Sequence, residues 1–217
     1  PSGVYPLNDT NFPTIDPIDP YKFSPEEKAM LEAIEPTFTQ NDKLQAHIKY
    51  MFTHGALYTI VNGNLLFHGC IPMNEDGTFK AIEIDGKKLS GRGYMDYLDK
   101  KVRSDYFHPK EYEAVGYNGD LMWYLWLAEN SPLFGKDQMT TLERCLIDDK
   151  KTHKEHTVPY YSLIERKDIC VKILREFGLD PDTSIILNGH VPVKIKDGES
   201  PIKGEGKLYI IDGGMSK

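Results

Sequence analysis

The chain has 217 residues, 40% hydrophobic and 27% charged, which suits a soluble globular protein with a real core. A formal net charge of -7 excludes any global attraction to nucleic acid or an anionic membrane, and leaves a small phosphorylated substrate open. Three widely spaced cysteines, Cys70, Cys145 and Cys170, read as free thiols in a reducing, cytoplasmic compartment rather than a disulfide framework, and no apolar run approaches the roughly 20 residues that span a bilayer.

Residues 1–23 carry five prolines and little periodicity, so an extended linker is expected there. The chain opens on Pro1 and stops directly after a strand-like run, and both ends are expected to be cuts inside a longer protein. "SPEEKAMLEAI" then has a complete helix start: Ser24 caps, Pro25 suits the first helical position, and Glu27 stands three residues after the cap. Pro36 is expected to end that helix. "NDKLQAHIKYMFTHG" predicts a second helix with Leu44, Ile48, Met51 and Phe52 on one face and a stop at Gly55.

"ALYTIVNGNLLFHG" reads as a hairpin about Asn62-Gly63, and "FKAIEIDGKKL" as a strand running into an Asp-Gly turn. From about 91 to 178 the pattern is mostly helical, ending at Gly178 after a stripe of Leu163, Cys170, Val171 and Leu174. Strands return in "TSIILNGH", in "VPVKI" and in "KLYIIDGG". The order of hairpin, long helical insert and further strands predicts a mixed α/β domain.

Two strand-like runs, "LLFHG" at 65–69 and "IILNGH" at 185–190, end on a histidine. Ligands collect at such strand ends in open α/β sheets, and two neutral imidazoles make half of a divalent-metal site. Two histidines in ordinary turns would look the same, and two ligands do not complete a site. "THKEHTV" at 152–158 offers His153 and His156 at a spacing of three, where a metalloprotease helix needs four; with its lysine flanks it reads as a solvated loop. Gly135-Lys136 lacks the Ser or Thr of a P-loop, although Lys136 could meet an anion. Trp123, Tyr124 and Trp126 are expected to pack a core.

"KIKDGESPIKGEGK" places Lys194, Lys196, Lys203 and Lys207 just after His190, where a lysine loop would suit a phosphate-bearing substrate; a solvated hairpin loop is the competing reading. Arg92 and Arg103 lie in a helical stretch and could also reach a phosphate. No G-x-S-x-G elbow is present, and Cys70 reads as a core thiol, so metal-assisted chemistry is favoured over a covalent nucleophile.

The phrases "LLFHGCIPM", "GDLMWYLWLAENSPLFGKD" and "ILNGHVPVKIKDGESPIKGEGKLYIIDGGMSK" resemble, in order and over essentially the whole chain, the class III fructose-1,6-bisphosphatases, bacterial members of the calcineurin-like metallophosphatases. The resemblance implies a β-sandwich flanked by helices with two divalent ions at the strand ends, usually Mn²⁺. It implies hydrolysis of fructose 1,6-bisphosphate to fructose 6-phosphate and phosphate in gluconeogenesis. By motif, His68 and His190 correspond to metal ligands, with Lys136, Lys194, Lys203 and Arg92 as the substrate-binding candidates beside them. The family's Gly-Asp-x-His-Gly, Asp-Arg-Gly and Gly-Asn-His-Asp/Glu segments do not occur here; the Gly-Asp of "NGDLMW" lacks the histidine. The bridging carboxylate and general acid are therefore expected outside this chain. Residues 24–217 are then the C-terminal portion of a metallophosphatase domain, completed by an N-terminal remainder and inactive or weakly active alone. Another calcineurin-like phosphoesterase, or a non-catalytic interaction domain, stays open beside this reading, as do a homo-oligomer and allosteric effectors.

Overall fold

A computed structural model of the chain describes residues 3–108 and 120–212. Gly119 of "NGDLMW" and the terminal Gly-Gly-Met-Ser-Lys lie outside the described residues. The chain divides into two compact units: one comprises the chain up to Gly55 with Thr140–Lys154, the other Ala56–Met139 with Glu155 onward. The division falls at Gly55, after both N-terminal helices.

The first unit holds helices α1 (Pro25–Thr39), α2 (Asp42–His54) and α5 (Thr141–Leu146). The capping box predicted for α1 forms: Ser24 Oγ accepts from the Glu27 N–H, and Glu27 accepts from the Ser24 N–H. Pro36 does not end the helix. It lies in the last turn, where one missing donor is tolerated, and its carbonyl accepts from the Gln40 N–H. Asn41 caps α2, and Gly55 stops it as expected. Neither α1 nor α2 has a buried residue; Met51, expected on an inner face, is 67% exposed. The irregular N-terminal segment is tied to α5, with the Asn8 backbone and side-chain N–H groups donating to the carbonyls of Leu146 and Cys145.

The second unit is built on a five-stranded mixed sheet. Its strands are β1 (Tyr58–Val61), β2 (Asn64–Phe67), β5 (Ile186–Asn188), β6 (Ile202–Lys203) and β7 (Leu208–Ile210), in the order β1-β2-β5-β7-β6. The three central strands are parallel and the two edge strands antiparallel. Asn62 and Gly63 take positive φ of 51° and 76°, which makes the tight primed turn between β1 and β2. Asp85-Gly86 does the same between β3 (Ile82–Ile84) and β4 (Lys87–Leu89), which form a separate two-stranded sheet. "VPVKI" forms no strand: a 3-10 turn at Ile195–Asp197 takes its place.

The crossover from β2 to β5 carries α3 (Gly91–Phe107), α4 (Asp120–Leu127), the short turn α6 (Tyr160–Leu163) and α7 (Lys167–Glu176). Its core is legible in the register. Leu65, Ile186 and Leu208 lie side by side on the three central strands, each fully buried. Tyr160, Ile164, Cys170, Ile173, Leu174 and Phe177 are buried with them. Trp123 and Trp126 do not join this core. They lie 59% and 61% exposed and pack edge to face on α4, while Leu121 and Leu125 take the buried side. A 3.6-residue period cannot bury both tryptophans and both leucines of so short a helix.

Candidate metal centre

The last row of the sheet is Phe67, Asn188 and Ile210. His68 follows the first of these at once, and His190 follows Asn188 by two residues, so both leave the carboxyl edge of adjacent parallel strands. Their rings converge: His68 Nε2 lies 2.9 Å from His190 Nδ1, although the residues are 122 apart in sequence. That separation is a hydrogen-bond distance, and it brings one ring nitrogen of each histidine to the same point.

The His190 ring is held from behind. His190 Nε2 is 2.7 Å from the carbonyl of Phe134, which can only accept, so the proton is on Nε2 and the Nδ1 lone pair faces His68. His190 has φ +72°, a left-handed conformation that costs a non-glycine residue about 1–2 kcal/mol. In that conformation the ring meets His68 on one side and the Phe134 carbonyl on the other. The His68 imidazole is held below its ordinary pKa by burial and by the neighbouring His190 ring, with Asp212 opposing the shift. Both effects favour the neutral, metal-binding form.

Asn188 fixes the backbone that carries His68. It is fully buried at the end of an otherwise apolar strand face, and its Nδ2 donates to the carbonyls of Gly69 (2.6 Å) and His68 (3.1 Å), with Phe67 O at 3.5 Å. The Gly189 N–H adds a 3.0 Å bond to the His68 carbonyl. The Asn188 side-chain oxygen is buried without a hydrogen-bond partner among the described residues. Gly69 admits the segment that bears Phe134: a Cβ there would stand 2.3 Å from the Pro132 carbonyl. The Cys70 N–H donates to that same carbonyl at 2.8 Å. Cys70 itself is buried and its thiol is pushed up to about 12, so it is no nucleophile.

The predicted anion-binding residues separate. Lys194 lies in the exposed stretch after His190, next to Val193, whose N–H donates to the Asp212 carbonyl. Lys136 lies two residues beyond Phe134, but its ammonium is paired with Glu155 at 2.8 Å. Lys203 is at the wrong end of the sheet. It pairs with Leu208, which is level with Ile186 at the amino-terminal end of β5, and its ammonium meets Glu165. Proximity in sequence to His190 misleads here because the intervening loop runs back along the sheet. Arg92 is engaged where α3 meets α7: its side chain donates to the Phe177 carbonyl and pairs with Asp96. Arg103 is bidentate to Asp99.

The other histidines have different partners. His153 Nε2 donates toward the carbonyls of Glu143 and Ile147 at the end of α5, and His156 Nδ1 is bound by Asp137 at 2.8 Å. Among the described residues no group of three or more His, Cys, Asp or Glu side chains stands close enough to hold a metal. The His68–His190 pair therefore stands without a third candidate ligand among the described residues.

A family profile described as Firmicute fructose-1,6-bisphosphatase matches residues 2–217. The class 3 fructose-1,6-bisphosphatase of Clostridium acetobutylicum is 52% identical over 213 residues, covering 98% of this chain and 32% of that protein. Those of Clostridium tetani and Alkaliphilus metalliredigens are each 50% identical, over 215 and 216 residues, covering 99% of this chain and 32% of theirs. The chain thus spans about a third of the length of the curated relatives it matches, by the same 32%. No solved structure matches it.

Proposed function

Because the chain belongs to the Firmicute fructose-1,6-bisphosphatase family, we propose that the complete protein hydrolyses fructose 1,6-bisphosphate to fructose 6-phosphate and phosphate, and that this chain contributes one side of its metal centre. The observation that carries the reading is the 2.9 Å approach of His68 Nε2 to His190 Nδ1 at the carboxyl edge of two parallel strands. The reading includes a calcineurin-like fold for the assembled domain, Mn²⁺ as the metal, and a cytoplasmic, gluconeogenic setting. The three unpaired cysteines agree with a reducing compartment.

His68 Nε2 and His190 Nδ1 would hold a divalent ion, which when bound polarises a phosphoryl oxygen and lowers the pKa of water. Everything else on this chain serves position. The Phe134 carbonyl holds the His190 tautomer, so the ring presents a lone pair without having to lose a proton. Asn188 clamps the turn after β2 through the His68 and Gly69 carbonyls, which fixes where His68 emerges. Lys194, exposed in the loop after His190, is the best placed of the predicted cations to meet a substrate phosphate. Lys136 is already neutralised by Glu155. Cys70, buried and with its thiol pushed up to about 12, supplies no nucleophile.

Two imidazoles do not hold an ion firmly, so the isolated 217-residue chain binds metal weakly and turns over little substrate. Phosphate release from fructose 1,6-bisphosphate in Mn²⁺ tests both statements. The complete polypeptide is expected to turn over and its H68A and H190A variants to lose the Mn²⁺-dependent rate. Robust turnover by the 217-residue chain alone would overturn the half-site. A complete protein that ignores fructose 1,6-bisphosphate but cleaves another phosphate monoester would overturn the substrate.

A further inference from the structure

The parallel register extends past the last paired row. Asn188 faces Ile210 across β5 and β7, and the Ile211 N–H donates to the Asn188 carbonyl at 2.8 Å. Two residues on from each strand end, His190 and Asp212 therefore come level at the same carboxyl edge. Three neighbouring parallel strands, β2, β5 and β7, thus each release one polar residue there: His68, His190 and Asp212. Gly189 lies among them. A Cβ on it would be 3.8 Å from Asp212 Cβ, 3.9 Å from Asp212 Oδ2 and 3.5 Å from the His68 carbonyl, so the carboxylate stands beside the backbone that leads into His190 and whose N–H is bonded to the His68 carbonyl.

The environment of that carboxylate is unusual for a surface aspartate. Among the described residues its side chain makes no hydrogen bond and no ion pair, although lysines follow His190 closely in sequence. Its backbone is nonetheless fixed, with the Val193 N–H on its carbonyl. Its negative charge acts on the His68 ring and on the largely buried Tyr161 hydroxyl. Among the described residues, this anion beside the two imidazoles has no cation paired with it.

We propose that Asp212 is the anionic member of this metal half-site: it stands outside direct coordination and strengthens divalent-cation binding by His68 and His190 through its charge and by accepting from metal-bound water. The inference rests on the metal-site reading above. No three side chains are gathered closely enough for direct ligation among the described residues, which leaves Asp212 an outer role. Carboxylates behind a metal centre typically change affinity by about 10–100-fold. No residue pattern pointed to Asp212, because the aspartate lies more than twenty residues after His190 and enters only through the β5–β7 pairing.

The test is a Mn²⁺ titration of the complete protein, followed by the loss of the free-ion electron paramagnetic resonance signal and by calorimetry. Asp212→Asn keeps shape and removes charge; it is expected to weaken Mn²⁺ binding by about 10–100-fold, while Asp212→Glu retains most of it. The metal-free melting temperature of Asp212→Asn is expected to match wild type, which separates a charge effect from a folding defect; a matching loss of melting temperature and affinity in both variants overturns the proposal. Binding by Asp212→Asn within twofold of wild type, with His68→Ala and His190→Ala both losing the ion, overturns the role of Asp212 and leaves the metal reading standing. Unchanged binding in all of these variants overturns both.

Discussion

The two ends of the central sheet both carry polar residues and treat them differently. At the amino-terminal end, Lys203 meets Glu165, and Cys170 is packed against Gly204, so charge and bulk are matched within the chain. At the carboxyl end, two imidazoles face each other at 2.9 Å, an aspartate lacks a cation among the described residues, and the Asn188 oxygen is buried without a partner. A buried polar atom such as the Asn188 oxygen is seldom left without a partner in a folded chain unless something else completes it. The difference between satisfied and unsatisfied ends is therefore a better guide to the site than the number of lysines near it.

The largest effect should come from breaking the carboxyl end directly. His190→Ala in the complete protein is expected to abolish Mn²⁺-dependent phosphate release, whereas Lys203→Ala leaves it within about twofold, because its partner Glu165 is at the far end and the pair is worth at most ~1 kcal/mol. Equal losses in the two variants would erase the contrast. Next is Gly69→Ala. Its methyl cannot be placed 2.3 Å from the Pro132 carbonyl, so the backbone shifts and the cost is about 1–3 kcal/mol, measured by denaturant unfolding.

Asn188→Leu keeps the bulk but leaves the His68 and Gly69 carbonyls short of a donor. A loss of about 1–3 kcal/mol is expected, together with weaker Mn²⁺ binding; normal binding would show that His68 does not depend on this clamp. The smallest contrast concerns thiols, which should not distinguish the two ends. Burial pushes Cys70 and Cys170 up to about 12 from 9.0, so both stay protonated in the folded chain at pH values where they ionise in the unfolded one. Their contribution is complete below pH 9.0 and is lost progressively as pH rises from there toward about 12. Below pH 9.0 only the exposed Cys145 is expected to react with a thiol reagent before unfolding.

Much of the local structure was legible because its causes are local. The Ser24–Glu27 box, the Asn41 cap and the two primed turns at Asn62-Gly63 and Asp85-Gly86 depend on residues a few positions apart. The two strand-ending histidines were legible for the same reason. Pro36 misled because a proline in a final helical turn removes only one bond. The tryptophans of α4 misled because their hydrophobicity says nothing about which side of a short helix meets the core. Asn188 could have been suspected: a polar residue ending an Ile-Ile-Leu run must find partners once buried.

By itself the sequence determined the hairpins, the helix caps, the metal-compatible residue types at two strand ends, and the likeness to a phosphatase family. Tertiary structure alone decided that His68 and His190 meet, that the Phe134 carbonyl orients one of them, that Asp212 comes level with the pair, and that Lys203 does not. The reason is strand pairing. Turn and cap rules act over a few residues, whereas parallel register is set by burying Leu65, Ile186 and Leu208 in one row, and that row carries residues more than a hundred positions apart to the same edge.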